Sequence, residues 1–229
     1  VPAEFTGLAR AFLTDAEKSY GALSTELEAF SNAMAKRFAR RSQVRSEHVD
    51  ELIRILDVQR LCILDYAEIA RGGRKLRCYR PVATQNRSWL DSWTSSEIIA
   101  DLAIIVVQVT PFKFSSETKS VASVSLHALA RRMQRGFSTD RQAVAGDLRE
   151  IVWQANAVLE TLHERITAPG VVAKLEDFEF AVRCADGAWF GHARKVNQGE
   201  TQNLKLIVRT FYSNDEMEAK LAPATKWLN

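Results

Sequence analysis

Within the stretch SVSLHALARRMQRG, Ser123 to Gly136, an imidazole (His127), two guanidinium groups (Arg131 and Arg135) and an amide (Gln134) gather on one side of a helical wheel. Residues four apart on a helix lie within about 6 Å of each other, so His127 and Arg131 can reach one bound anion together. Guanidinium offers phosphate a planar fork of donors, and imidazole titrates near neutral pH. That combination suits proton transfer beside a held phosphate. Leu126, Leu129, Ala130, Met133 and Phe137 form the apolar stripe that should dock on a core, and Arg132 is expected to point away from the anion side. The plainer alternative is a wet helix surface with a capping histidine.

A second set lies near the C-terminal end. FEFAVR, CADG and AWFGHARKV read as a hairpin with Asp186-Gly187 as a two-residue turn. A turn centred on that pair sets Phe178, Phe180 and Val182 opposite Lys195, Ala193 and Gly191, on the side suited to packing helices. The other side collects Glu179, Arg183, His192 and Arg194, with Arg209 joining from the strand LKLIVRTFYS after the polar linker NQGETQN. Charge on the wet face of an antiparallel sheet is ordinary. Even so, helices followed by a sheet with one cationic face suit RNA cleavage without metal. Such cleavage needs a base for the ribose 2′-hydroxyl, an acid for the leaving 5′-oxygen and fixed cations for the pentavalent phosphate. In this reading His127 and His192 share the acid and base work, Arg131 and Arg194 hold the phosphate, and Glu179 substitutes as base if partly desolvated. Gln134, Arg135, Arg183 and Arg209 then contribute to substrate binding.

The elements that must position these groups follow from periodicity. Thr14 and Asp15 precede a helical pattern, Leu23, Leu27, Phe30 and Met34, running toward Arg41, and a second begins at Ser46 with Val49, Leu52, Ile53 and Leu56. RLCILDYAEIA mixes periods and fits helix or strand. Past Gly72 and Gly73, KLRCYRPVA reads as a strand stopping near Pro81. Trp89 and Trp93, at i,i+4 spacing, could stack nucleobases, but tryptophan is ordinarily buried. IIADLAIIVVQV, Ile98 to Val109, reads as a buried strand, being interrupted by Asp101 and Gln108 and shorter than the ~18 residues that span a bilayer. SSETKSVAS reads as a linker, placing a domain boundary near Ser115. Thr139 and Gln142 have capping-box spacing before a long helix that runs to Pro169-Gly170.

The expected fold class is therefore α+β: residues 1–114 form a mixed helical and strand region of unassigned role, and residues 115–229 a domain of helices followed by a small antiparallel sheet. The chain's 229 residues, 46% hydrophobic and 26% charged, can bury a core without disulfides or metal staples. Net charge is +3 and the pI about 8.8, which permits a phosphate-rich partner without demanding one. Basic residues cluster at Lys36, Arg37, Arg40, Arg41 and Arg45, and again from Arg71 to Arg87. Cys62, Cys78 and Cys184 are too few and too far apart for a disulfide framework or a zinc knuckle, so a cytoplasmic setting is expected. Val1 opens a segment without signal-peptide character, and the missing initiating Met suggests a trimmed or excised piece, including one delivered into a target cell within a larger secreted protein.

HALARRMQRG followed by STDRQAVAGDLREI, with the later GAWFGHARKV and LKLIVRTFYS, resembles the barnase, EndoU, colicin and RelE-like group of bacterial ribonuclease toxins over the half of the chain from Ser123 onward. The resemblance implies an RNA-cleaving toxin with His127 and Arg131 on its helix and a hydroxyl, Thr210 or Tyr212, on its last strand. It also implies tRNA or mRNA as partner and a cognate immunity or antitoxin protein. No cofactor and no metal are expected, because no H-E-x-x-H or paired CxxC spacing occurs. Three functions compete: a metal-independent endoribonuclease, a non-catalytic nucleic-acid-binding or regulatory protein, and a protein-interaction module of the immunity or adaptor kind. Phosphate-loop, dinucleotide-binding and serine-hydrolase signatures are absent from the sequence.

Overall fold

The computed structural model describes residues 1–40, 42–57, 68–72, 75–86, 99–110, 113–136, 138–167, 178–198 and 201–221. Helix α1 (Ala3–Ala39) buries one stripe, Ala9, Phe12, Leu13, Ala16, Leu23, Leu27, Phe30 and Met34. It begins well ahead of Thr14 and Asp15, because Ala9 and Phe12 extend the apolar stripe toward the N-terminus. Asp15 instead forms an ion pair with Arg141. In front of helix α2 (Ser46–Asp57), the backbone N–H of Arg45 donates to Nδ1 of His48 at 3.1 Å, the reach-back bond that a capping box normally takes from Glu or Gln. Leu52 and Leu56 pack with the second half of α1.

Strands β1 (Glu68–Gly72) and β2 (Lys75–Asn86) pair antiparallel from Glu68↔Tyr79 to Gly72↔Lys75. Strand β2 does not stop at Pro81, which lies opposite Ile104 of β3 (Ile99–Thr110). The β1 ladder ends at Tyr79, so among the described residues Pro81 has a strand on one side only. A missing N–H there forfeits no ladder bond. Trp89 and Trp93, and the RLCILDYA part of the ambiguous segment, lie outside the described residues, and its remainder, EIA, is in β1.

Strand β3 is the buried strand its composition suggests. Its two faces feed two core clusters: Leu102 and Ile104 join one, and Ala103, Ile105, Val107 and Val109 the other. The segment expected to be a linker forms most of strand β4 (Lys113–Ser125), paired with β3 from Thr110↔Lys113 to Ile99↔Ser125. Its polar run Ser115–Ser120 lies largely in solvent, so side chains give no apolar alternation, and the ladder to β3 supplies the strand. Val121 is the extra residue where the register shifts between Leu102 and Ala103.

Helix α3 (Leu126–Arg135) follows directly, and helix α4 (Arg141–Thr167) comes next. At the start of α4, the Asp140 N–H donates to Ser138 Oγ at 3.0 Å, and the Asp140 carbonyl accepts from the Val144 N–H at 3.1 Å. Strands β5 (Phe178–Cys184), β6 (Gly187–Gln198) and β7 (Thr201–Ser213) form an antiparallel meander before helix α5 (Asn214–Leu221). The β5–β6 turn is Ala185-Asp186, with Cys184 opposite Gly187, so Phe178, Phe180 and Val182 oppose Ala193, Gly191 and Trp189. The register differs from expectation by two residues, which keeps Glu179, Arg183 and His192 on one face and Phe180, Val182 and Ala193 on the other. Gly187 closes the ladder because a Cβ there would meet the Tyr212 carbonyl oxygen at 2.1 Å. Most of NQGETQN is strand, since β6 and β7 pair out to Gln198↔Thr201, and Gly199 and Glu200 lie outside the described residues.

The last residues of β4 pair parallel with β7, Ala122↔Leu206 to Val124↔Val208. One seven-stranded sheet results, in the order β1-β2-β3-β4-β7-β6-β5. The fold is α+β, and the division near residue 115 falls inside β4, within this continuous sheet. One core cluster gathers Phe12 and Leu13 of α1, Leu129 and Met133 of α3, Leu148 and Ile151 of α4, and Leu102, Trp189, Val208 and Phe211 of the sheet. Among the described residues no helix is long and apolar enough to cross a membrane.

Candidate functional site: the open face of the C-terminal strands and its helical margin

Ser125 anchors the start of α3. Its Oγ accepts from the Ala128 N–H at 3.1 Å, as an N-cap should, and donates to the carbonyl of Arg209 at 3.3 Å. Arg209 is the extra residue of a bulge in β7, where Val208 opposes Gly191 and Thr210 opposes Phe190. Gly191 permits this approach: a Cβ there would stand 2.1 Å from the Ile207 carbonyl oxygen. At the other end of α3, Arg135 Nη1 donates to the Phe211 carbonyl at 2.9 Å and pairs with Glu216 at 3.0 Å, while its guanidinium carbon lies 5.6 Å from the centre of the Tyr212 ring. The helix is thus held along β7 from residue 209 to residue 212.

This placement sets one member of the helical group, Arg135, against Tyr212 of the sheet group. On α3, His127 is exposed and accepts a long hydrogen bond, 3.4 Å, at Nε2 from Arg131 Nε, and Arg131 Nη1 reaches Gln134 Oε1 at 3.5 Å. On the sheet, register lines up three rows: Glu179, His192 and Ile207; Ala181, Phe190 and Thr210; Arg183, Ala188 and Tyr212. Glu179 and Arg183 are exposed and His192, Arg209, Thr210 and Tyr212 half-buried, whereas Ala188 is buried, as are His192 Nε2 and Arg209 Nε, so this face is open only in part. Arg194 lies in β6 opposite Lys205. Arg135 lies over Tyr212, yet its charge already answers Glu216, so it ties the helix down more than it offers a free cation.

The opposite side of the same strands is a dry core. Val182, Trp189, Ala193, Leu206, Val208 and Phe211 pack with the helices, whereas Phe190, Ile207 and Tyr212 stand outside both core clusters. Phe190 and Tyr212 meet edge to face with ring centres 5.3 Å apart. Phe190 is the site residue that the sequence left unmarked. The only local sign of it was its alternation with the inward-facing Trp189 in AWFG.

Arg132 departs most from expectation. Far from pointing away, it is 1% exposed. Its Nε donates to Asp147 of α4 at 2.5 Å, one terminal nitrogen to Asp186 of the β5–β6 turn at 2.6 Å, and the other to the Ser138 carbonyl at 3.1 Å. The guanidinium also lies 5.4 Å from the Phe211 ring centre. Gly136 leaves room for it, since a Cβ there would stand 1.6 Å from Nη1. One cation thus joins α3, α4 and the hairpin turn beneath the open face. Burial holds the Asp147 carboxyl above its ordinary 3.8 despite the pull of Arg132, and burial together with the Asp147 charge pushes the Cys184 thiol up to about 11. That thiol is unreactive structure at neutral pH.

No protein-family model matches the chain, and no curated protein or solved structure matches it.

Proposed function

We propose that the open face of β5, β6 and β7, with the exposed side of α3 along its margin, binds single-stranded RNA. The observation that supports this reading best is the Phe190–Tyr212 pair, two aromatic rings outside the core on neighbouring strands of an antiparallel sheet. Unpaired bases stack on aromatic side chains displayed in this way, and flanking cations hold the backbone. Arg209 stands beside the pair in register, and Arg131 lies on the adjoining helix. The test is fluorescence anisotropy with a labelled single-stranded RNA across a salt series. Phe190→Ala and Tyr212→Ala are each expected to weaken binding by about 1–3 kcal/mol, roughly five- to 150-fold. Affinity untouched by both substitutions, or equal affinity for duplex RNA, would refute the stacking surface.

A second reading, metal-independent cleavage of the bound RNA by 2′-hydroxyl attack, is favoured by the His127–Arg131 contact, which sets an imidazole and a guanidinium at one point of the margin. Cutting is then expected to persist in chelator and to be lost in His127→Ala, with binding by the aromatic pair kept within about twofold. Binding without any product over long incubation leaves the non-catalytic RNA binder.

A further inference from the structure

Strand β5 closes one end of the sheet: among the described residues it has β6 on one side and no strand on the other. Exposed edges in monomeric proteins are commonly blunted by proline, lysine, a bulge or an inward-pointing charge. Phe178–Cys184 has no proline, lysine or bulge, its ladder with β6 runs without a register shift, and its two exposed charges, Glu179 and Arg183, are of opposite sign. The two-residue turn decides which backbone groups face outward. Its closing pair, Cys184 and Gly187, exchanges hydrogen bonds within the hairpin, so Phe180, Val182 and Cys184 turn their N–H and C=O toward β6. Glu179, Ala181 and Arg183 therefore present theirs to the free edge.

Those same residues are self-complementary about Ala181. An antiparallel pairing of β5 with a second β5 centred there sets Ala181 against Ala181, Glu179 against Arg183, and Arg183 against Glu179. All three are pairs whose outward backbone groups match, as an antiparallel ladder requires. On the other face the same register sets Phe180, half-buried, against Val182, buried, so apolar meets apolar. A shift by two residues in either direction sets an acid or a base against Ala181 and loses both Glu179–Arg183 pairs.

We propose that two copies of this chain associate through their β5 edges about a twofold axis at Ala181, joined by reciprocal Glu179–Arg183 pairs. The contact is isologous and therefore closes as a dimer. It joins the two sheets edge to edge and sets the two open faces side by side as one surface. It also makes Glu179 and Arg183 interface residues. The dimer does not depend on RNA binding, and its test contains no RNA.

The measurement is molar mass by sedimentation over roughly 1 to 200 µM protein, a range in which a strand-mediated dimer assembles. Wild type is expected to move from the 25.7 kDa chain toward twice that mass. Glu179→Arg and Arg183→Glu, each of which sets like charges opposite one another twice, are expected to weaken association at least about tenfold. The double variant E179R/R183E restores the pairs in reversed order and should dimerise again. An equimolar mixture of the two single variants should form a mixed dimer, because each supplies the charge that the other lacks. Both residues are exposed, so circular dichroism spectra of the variants should match wild type and confirm that folding is unaffected. A wild type that stays monomeric throughout overturns the proposal. So does a dimer indifferent to the single reversals, or one that the double reversal fails to restore.

Discussion

At the scale of single residues, the guanidinium of Arg132 and the two carboxylates it joins bear most directly on how the site is held. Arg132 is almost wholly buried, and the side chains of Asp147 and Asp186 are 13% and 15% exposed. Removing the cation strands two buried carboxylates, so Arg132→Ala is expected to cost about 3–5 kcal/mol in urea unfolding. Replacement of an exposed arginine would be near neutral by the same measurement. Asp147 gives this cluster a pH signature. Its carboxyl is held above 3.8 in the folded state, so on acidification the native protein binds a proton there before the unfolded chain does. The resulting stabilisation is present in acid and is lost as pH rises through the raised value. Wild type is therefore expected to gain stability relative to the non-titrating Asp147→Asn between neutral pH and about pH 4. Denaturant titrations of both proteins at several pH values check the sign, and a wild type that loses ground on acidification would contradict it.

At the scale of elements, α3 depends on bonds at its two ends. The Ser125 hydroxyl caps the helix and holds the bulge carbonyl of Arg209, while Arg135 reaches the Phe211 carbonyl and Glu216. Ser125→Ala removes both functions of one hydroxyl. It is expected to cost about 1–2 kcal/mol and to speed amide exchange at Ala128, measured by denaturant unfolding and hydrogen exchange. If the bulge orients the open face, the same variant also weakens RNA binding without touching an aromatic ring. Unchanged exchange at Ala128 would show that the cap contributes nothing in solution.

At the scale of the whole molecule, β4 joins the strands of both halves of the chain into one sheet. It pairs with β3 along its whole length and with β7 at its end, and the larger core cluster draws side chains from α1 as well as from α4 and the C-terminal strands. Residues 115–229 expressed alone lose β3 and the α1 side chains Phe12 and Leu13. They are expected to show no cooperative thermal transition, whereas the full chain melts in one. Calorimetry of both distinguishes this from two independently stable halves, in which the fragment would keep its own sharp transition.

What the sequence determined alone was local. The apolar stripe of α3, the apolar composition of β3, the β5–β6 hairpin and the facing of its side chains all follow from periods of 3.6 and 2 and from a turn that needs Gly187 beside it. The helical set on α3 and the charged face of β5 to β7 were readable for the same reason. The tertiary structure decided what depends on residues distant in the chain. Strand β4 is a strand because β3 lies beside it, despite a polar composition that suggested a linker. Arg132 is buried because Asp147 and Asp186 arrive from two other elements, which no helical wheel drawn on one segment can show. The meeting of α3 with β7, which gives the site its margin, rests on a parallel contact between Ala122–Val124 and Leu206–Val208. Hydrogen bonds of this non-local kind leave no periodic mark on either strand, so only the folded chain reveals them.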